Sequence, residues 1–346
     1  MPEELDDQIA STAFCVIRAD RRKAAPHFLY YAVSTNQFID NIARVESGAS
    51  YPAVNDKDVL DSRLWLPPIT EQDIIAAVLR RNQKSIDVQN RLIVSARDLK
   101  QTVMGQLFSR GVREQTNKQT PFGEIPASWQ VLPLGECSEV QTGVTKGRAI
   151  SPDEAIEVPY LRVANVQDGH LDLGEIKTIT IRQSEIHTFL LQPGDVVLTE
   201  GGDFDKLGRG FIWRGEINPC VHQNHIFAVR AAADVLLPEF LAYLVQSPYG
   251  RSYFLTVAHK TTNLASINST KLKAFPVPLP PLDEQRAIIS TLQAIDRKID
   301  VHERKRATLK ELFNALLDEL MTGRIRVADL DIDLDTAAVA KSQEAP

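Results

Sequence analysis

Residues 66–75 read LPPITEQDII, and residues 279–289 read LPPLDEQRAII. At an offset of 213, Leu66, Pro67, Pro68, Glu71 and Gln72 fall on Leu279, Pro280, Pro281, Glu284 and Gln285. The same offset sets Phe14 on Phe227, Val16 on Val229 and Asn55 on Asn268. Between these anchors PHFLYYAV (26–33) matches PEFLAYLV (238–245) at an offset of 212, which implies one small indel. Blocks repeated in one order are a duplication, and a fixed period governs the fold before any single element does.

Each Leu-Pro-Pro opening leads into a proline-free helical pattern, from about Glu71 to Arg110 and from about Glu284 to Thr322. At 1.5 Å per residue each helix reaches about 60 Å. In the second, Ile288, Ile295, His302, Leu309 and Leu316 recur every seven residues, as do Leu292, Ile299, Arg306, Phe313 and Leu320. A 4-3 spacing of this kind is a coiled-coil seam. The first helix offers Ile75, Leu79, Ile86, Ile93, Ala96, Val103 and Leu107 to the same seam, with Asn82, Gln89 and Lys100 as polar members. Such polar positions lower stability and fix register. A seam needs a partner, and the duplication supplies one in the same chain. The long segment between the two helices makes an antiparallel pair geometrically reasonable.

Residues 121–280 are of another kind. Strand-like runs VPYLRVANV (158–166), IKTITIR (176–182), DVVLTE (195–200), GFIWR (210–214) and HIFAVRA (225–231) are punctuated by Gly and Pro, and a helix is expected over about 238–247. This is a mixed α+β module. It has 106 residues before Phe227, whereas only 13 precede Phe14, so about 93 residues of the first copy are absent. The expectation is a first module truncated at its N-terminus.

Composition sets the outer bounds. The 346 residues carry 39 Lys and Arg against 45 Asp and Glu, a net charge of −6. That excludes a strongly basic nucleic-acid binder and a polybasic membrane module. Cys15, Cys137 and Cys220 are odd in number and widely spaced, so neither a disulfide framework nor a cysteine zinc site is expected, and a reducing cytoplasm fits. The opening MPEELDDQIA is too acidic and polar for a signal peptide, and no apolar run is long enough to span a membrane.

The two Leu-Pro-Pro-x-x-Glu-Gln openings, with GEIPASW (123–129), VPYLRVANVQDGHL (158–171) and LQPGDVVLTEGGDFDKLGRG (191–210), resemble specificity subunits of type I restriction–modification systems over about residues 11–327. The resemblance implies two target-recognition domains alternating with two long spacer helices, each domain reading half of a bipartite DNA target. It also implies methyltransferase (modification) subunits that dock on the chain, a restriction motor and nuclease subunit beside them, and no catalysis by the chain itself. The chain then divides into 1–65, the C-terminal part of a first target-recognition domain; 66–120, the first spacer helix and linker; 121–280, a complete second domain; 281–327, the second spacer helix; and 328–346, an acidic tail expected to be disordered. An incomplete first domain leaves two routes to a working complex. Two chains self-associate through their helices, or a separate chain supplies the missing domain.

A search for chemistry agrees with a non-catalytic role. There is no P-loop and no Gly-x-Gly-x-x-Gly. Asn218-Pro219-Cys220 lacks the second Pro and the aromatic that adenine methylation needs for a flipped base. His222 and His225 lie three apart, but on a strand they face opposite ways and have no acidic or Cys ligand nearby in sequence, so no metal and no cofactor is expected. A polar loop before a strand accounts for both.

DNA contact must come from local groups, since residues 121–280 carry a net charge of −4. Few phosphate contacts are expected, which suits a chain that reads bases while partners add affinity. The candidate readers are Thr145, Lys146, Arg148, Arg162, Asn165, Lys206, Arg209, Gln223, Asn224, Lys260, Thr262 and Asn263. Arg and Lys suit guanine O6 and N7, and Asn and Gln suit adenine N6 and N7. Each reads first as an ordinary surface hydrogen-bonding group, and the Gly-rich 201–209 stretch reads first as a plain surface loop and second as a DNA contact. Three other classes compete. A nuclease needs a cluster of acidic ligands that the sequence does not show. A structural coiled coil leaves the α+β module without a task. An inactive relic follows if the missing residues are essential.

Overall fold

The structure, a computed structural model, describes residues 14–46, 53–113, 115–202, 207–260 and 265–329. Its helices are α1 (Pro26–Val33), α2 (Asn36–Ala43), α3 (Asp56–Leu60), α4 (Ile69–Arg110), α5 (Ile186–Phe189), α6 (Pro238–Gln246), α7 (Pro248–Val257), α8 (Ser269–Lys273) and α9 (Leu282–Met321). Its first eight strands are β1 (Asn117–Thr120), β2 (Gly123–Pro126), β3 (Gln130–Pro133), β4 (Ser138–Thr142), β5 (Ala155–Leu161), β6 (Val166–Gln167), β7 (His170–Leu171) and β8 (Lys177–Arg182). The others are β9 (Val196–Thr199), β10 (Gly201–Gly202), β11 (Gly210–Ile212), β12 (Val221–His222), β13 (Ile226–Ala231), β14 (His259–Lys260), β15 (Ala265–Ser266) and β16 (Pro276–Leu279). The expected mixture of α and β structure with two long helices is what forms. Two compact units result: Met1–Val94 with Asp300–Pro346, and Ser95–Ile299.

The first unit is helical among its described residues. Pro26 starts α1 with its φ already fixed for a helix. Phe28, Tyr31 and Ala32 pack against Ile75, Ala76 and Leu79 of α4 and Leu320 and Met321 of α9. Contacts along the seam run antiparallel, because the start of α4 meets the end of α9. Ile86 and Ile93 are buried, while Leu309, Phe313 and Leu316 are half-buried. At mid-seam His302 Nδ1–H donates to Gln89 Oε1 at 2.8 Å, and Arg306 donates to Asn90 Oδ1 at 3.3 Å. Gln89 and His302 occupy equivalent places in the two repeats. At the start of α4, Glu71 accepts from Arg326 Nε at 2.8 Å.

In the second unit a four-stranded sheet, β11-β9-β13-β4, is antiparallel throughout. A second sheet, β12-β5-β8, pairs β12 with β5 in parallel. Short pairs β1-β2, β3-β16 and β6-β7 and the ribbon β10-β15-β14 complete the unit. The main core joins Trp129, Phe240, Phe254 and Phe275 to Met104 and Phe108 of α4 and Ile288 and Leu292 of α9. Here a second buried row lies beside the expected seam. Val103 and Leu107 are half-buried, as are Ile295 and Ile299, whereas Met104 and Phe108 are buried. The cause is α6, which takes part of the α4 surface: the Phe108 and Phe240 rings lie 5.2 Å apart. Lys100, polar in the seam, pairs with Asp296 at 2.7 Å.

The duplication is visible atom by atom. Gln72 is fully buried; its Oε1 accepts from Ala25 N at 2.8 Å, and its Nε2 donates to Lys23 O and Pro67 O. Gln285, also fully buried, accepts from Leu237 N at 2.9 Å and donates to Val235 O and Pro280 O. Each glutamine thus satisfies the chain entering the preceding helix, α1 or α6. Asn55 and Asn268 correspond in the same way, capping α3 and α8 through Asp58 N and Lys271 N.

The copies differ on their sheet side. Phe14 and Val16 are 69% and 63% exposed, while their equivalents Phe227 and Val229 are 2% and 0% exposed. Phe227 and Val229 sit in β13 between β4 and β9. Residues 14–20 have no strand partner among the described residues. The run VPYLRVANV is not one strand either. β5 stops at Leu161 and a three-residue turn spans Val163–Asn165, because the Asn165 side chain accepts from Arg162 N at 2.9 Å and bends the chain. Most of the expected disordered tail, 330–346, lies outside the described residues.

Candidate nucleic-acid interface

Strand register decides where the loops of the second unit emerge. Thr142 of β4 faces Phe227 of β13, Thr199 of β9 faces Ile226, and Leu198 faces Gly210 of β11. The loops that follow β4 and β9 therefore leave the sheet where β13 begins. In the second sheet, Leu161 of β5 lies beside His222 of β12. Backbone bonds join the two ends. Val144 N donates to His222 O at 2.7 Å, Asn224 N to Val144 O at 3.0 Å, and Gln223 N to Leu161 O at 2.9 Å. Glu200 N donates to His225 O at 2.9 Å, and Ile267 N to Glu200 O at 2.9 Å. One edge thus carries residues 143–146, 162, 200–202, 209 and 223–225, with the β14-β15 hairpin bonded to it through β10.

Two glycines permit this approach. A Cβ on Gly143 would lie 2.1 Å from His222 O, and one on Gly201 2.5 Å from Ala265 O. No side chain fits at either place.

His222 anchors the central turn. It is fully buried, and its Nδ1–H donates to Ile226 O at 2.9 Å. Burial pushes its pKa down from 6.5 to about 4, so the ring is neutral. It holds the backbone that presents Gln223 and Asn224, both half-buried at the edge. His225 faces the other way and pairs with Glu200 at 2.6 Å, so the two histidines do not converge. Among the described residues no three His, Cys, Asp or Glu form a metal-binding group. Behind the sheet, Asp195, 1% exposed, accepts from Arg230 Nε and Nη2, both at 2.8 Å. This pair raises the Arg230 pKa and pins β9 to β13.

The structure brings together Thr145, Lys146, Arg162, Arg209, Gln223 and Asn224. Lys146 rests over the Tyr160 ring, 5.1 Å from its centroid. Arg148 sits apart, its fork held by Glu185 at 3.0 and 2.7 Å. Arg148 in turn lowers the Glu185 pKa. Asn165 is 3% exposed and its amide is committed to backbone: Oδ1 to Arg162 N, and Nδ2 to Asp172 O and Glu175 O. It shapes the edge rather than facing it. Lys260 lies in β14. Lys206, Thr262 and Asn263 fall outside the described residues. Sequence reasoning passed over Glu175 and Lys177, whose signal was only a change of sign two residues apart.

The profile of the type I restriction modification DNA specificity domain matches residues 126–311. The chain belongs to this specificity family. A protein of Methanocaldococcus jannaschii named for the MjaX type I restriction enzyme specificity subunit is 27% identical over 212 residues, covering 61% of this chain and 49% of its own. The MjaVIII specificity subunit of the same organism is 26% identical over 312 residues, 88% of this chain and 71% of its own. The EcoKI specificity subunit of Escherichia coli is 21% identical over 300 residues, 85% of this chain and 63% of its own. The chain therefore spans between half and about seven tenths of the length of these relatives. A solved chain from work on complex assembly and conformational transition of the type I R-M system gives a TM-score of 0.58 at 25% identity, over 95% of this chain and 78% of that one. The type I restriction–modification S subunit of M. genitalium shares the fold, with a TM-score of 0.52 at 16% identity over 87% and 74%. No described helix is long and apolar enough to cross a membrane.

Proposed function

We propose that this specificity-family chain is the sequence-reading subunit of a type I restriction–modification complex, and that the second unit reads one half of a bipartite double-stranded DNA target. The observation that carries this reading is the shared edge. Loops from β4, β9 and β12 converge there and present Lys146, Arg209, Gln223 and Asn224, with Arg162 beside them at the end of β5. Their chemistry covers both purines: guanidinium and ammonium for guanine, carboxamide for adenine. The unit's negative charge fits a reader whose partners, the methyltransferase subunits and a restriction motor, supply much of the phosphate affinity. The paired parts of α4 and α9 are the spacer and scaffold. The chain transfers no methyl group and cuts no DNA itself, and it works in the cytoplasm with the chromosome. The exposed Phe14 and Val16 offer a surface to a second copy of the chain or to a separate chain. The mass of the purified complex separates these, since two copies per complex support the former and one copy rules it out.

The test is selection of bound duplexes from a random pool, followed by Gln223→Ala/Asn224→Ala. A good bidentate base contact discriminates by about 1–3 kcal/mol. The double variant should relax one or two adjacent positions of the selected half-site and keep the others. A motif unchanged in every position contradicts this assignment of readers.

A further inference from the structure

Arg162 and Lys177 belong to one small constellation at the reading edge. Arg162 follows Leu161, whose carbonyl holds Gln223 N. Its Nη2 donates to Glu175 O at 2.9 Å and lies 3.4 Å from the Glu175 carboxylate. Lys177 Nζ lies 3.3 Å from the other oxygen of that carboxylate. Lys177 faces Tyr160 across the β5-β8 ladder, so it is at the same end of the sheet as Arg162. One carboxylate thus serves two cations and is held below the usual carboxylate range by Lys177 first and Arg162 second.

The two halves of this arrangement have different strengths. Arg162 is placed by backbone: Asn165 Nδ2 fixes Glu175 O at 3.0 Å, and that carbonyl receives the guanidinium. Its side chain is 18% exposed, and its Nε is buried without a hydrogen-bond partner. A buried donor left unsatisfied lowers stability, so packing alone does not explain a guanidinium here. The Glu175 carboxylate, by contrast, is 71% exposed, and exposed ion pairs of this length hold weakly. Arg162 is fixed, Lys177 beside it is 56% exposed, and their shared counter-ion is replaceable.

We infer that Arg162 and Lys177 form a phosphate clamp for the DNA backbone, closed in the free protein by Glu175. The inference rests on the DNA-reading proposal. A backbone phosphate takes the place of the carboxylate, and Glu175 swings into solvent. Because the carboxylate must be displaced, stray duplexes are bound less well than the two cations alone would allow. Glu175 therefore lowers the affinity for any duplex without touching a base.

The experiment is binding of the full chain, alone and with its methyltransferase subunits, to a 30-base-pair duplex of random sequence across a salt series. Each phosphate neutralised contributes about −0.9 to the slope of log affinity against log salt. Glu175→Gln keeps the backbone anchor of Arg162 and removes the charge. It should raise random-duplex affinity by about tenfold at low salt and steepen the slope by about one to two phosphates. Glu136→Gln, an exposed change of equal charge on the 134–136 turn, should move affinity by less than about twofold. Lys177→Ala should flatten the slope by about one and abolish most of the Glu175→Gln gain. Equal effects of Glu175→Gln and Glu136→Gln, or a Glu175→Gln gain that survives Lys177→Ala, overturn the clamp. A wild-type chain that selects a motif while Glu175→Gln behaves as wild type removes the clamp alone. A wild-type chain that binds no duplex in either preparation removes the reading with it.

Discussion

Replacing Gln285 by Ala removes all three hydrogen bonds of one buried side chain at once. Leu237 N loses its acceptor at 2.9 Å, and Val235 O and Pro280 O lose donors at 2.8 and 3.0 Å. Gln285 is fully buried, and of its partners Pro280 O lies in a buried bond while Leu237 N and Val235 O lie in partly buried ones. An unsatisfied buried group costs about 1–3 kcal/mol. The two carbonyls each keep a second lone pair, so about 3–5 kcal/mol is expected for the site. Local opening is the right readout, because a chain of two units does not unfold as one. Native-state hydrogen exchange at Leu237 N and along α6 should speed up by more than about a hundredfold, the equivalent of about 3 kcal/mol. Gln72→Ala breaks the same three contacts in the other copy. It should speed exchange at Ala25 N and along α1 by a similar factor and leave Leu237 protected. If exchange at Leu237 N in Gln285→Ala stays within about threefold of wild type, the buried amide does not hold the chain against α9, and the equivalence of the two copies loses its physical content.

Three further outcomes follow from the same geometry. His222 has its pKa pushed down to about 4 from 6.5, so its contribution to stability is whole above pH 6.5 and is lost as pH falls from there toward 4. That is about 3 kcal/mol; denaturant titrations from pH 7 to 4 should show the slope, and His222→Leu should flatten it. Gln89 and His302 meet at 2.8 Å in the middle of the seam. The double change Gln89→Leu/His302→Leu should raise the denaturant midpoint by the equivalent of about 1–2 kcal/mol, with weaker control of helix register. Asn165→Ala should act through shape, since its amide bonds only to backbone. A loss of about 2–3 kcal/mol of stability, with altered DNA affinity only as a consequence, is expected from those three bonds. A binding defect with stability intact makes Asn165 a direct reader.

The parts of the fold legible in the sequence are those written in periodicity and repetition. The heptads place α4 and α9 within two residues of their ends, and alternation with Gly punctuation finds β8, β9, β11 and β13. Gln72 and Gln285 are visible as repeated letters, but their work is not, because the partners lie 47 and 48 residues away. α7 escapes a pattern search because Pro248 and Gly250 sit in its first turn. The buried row Met104 and Phe108, one residue beyond Val103 and Leu107, is not legible because a seam rule assumes a single partner helix, and α6 adds a second. At the proposed interface, residue type names loops but not the direction in which a side chain points. Asn165 has the chemistry of an adenine reader and points into the turn. Arg148 has the chemistry of a guanine reader and is held by Glu185. Glu175 is invisible to a search for cations, and only the β5-β8 register sets it between Arg162 and Lys177.

The most direct measurement is a map of methyladenine in DNA from cells expressing this chain with its methyltransferase, beside the same cells expressing Gln223→Ala/Asn224→Ala. A bipartite motif that depends on the chain, with only the half read by the second unit altered in the variant, is the predicted result. Methylation that is identical with and without the chain, when both proteins are soluble, contradicts the assignment of sequence reading to it.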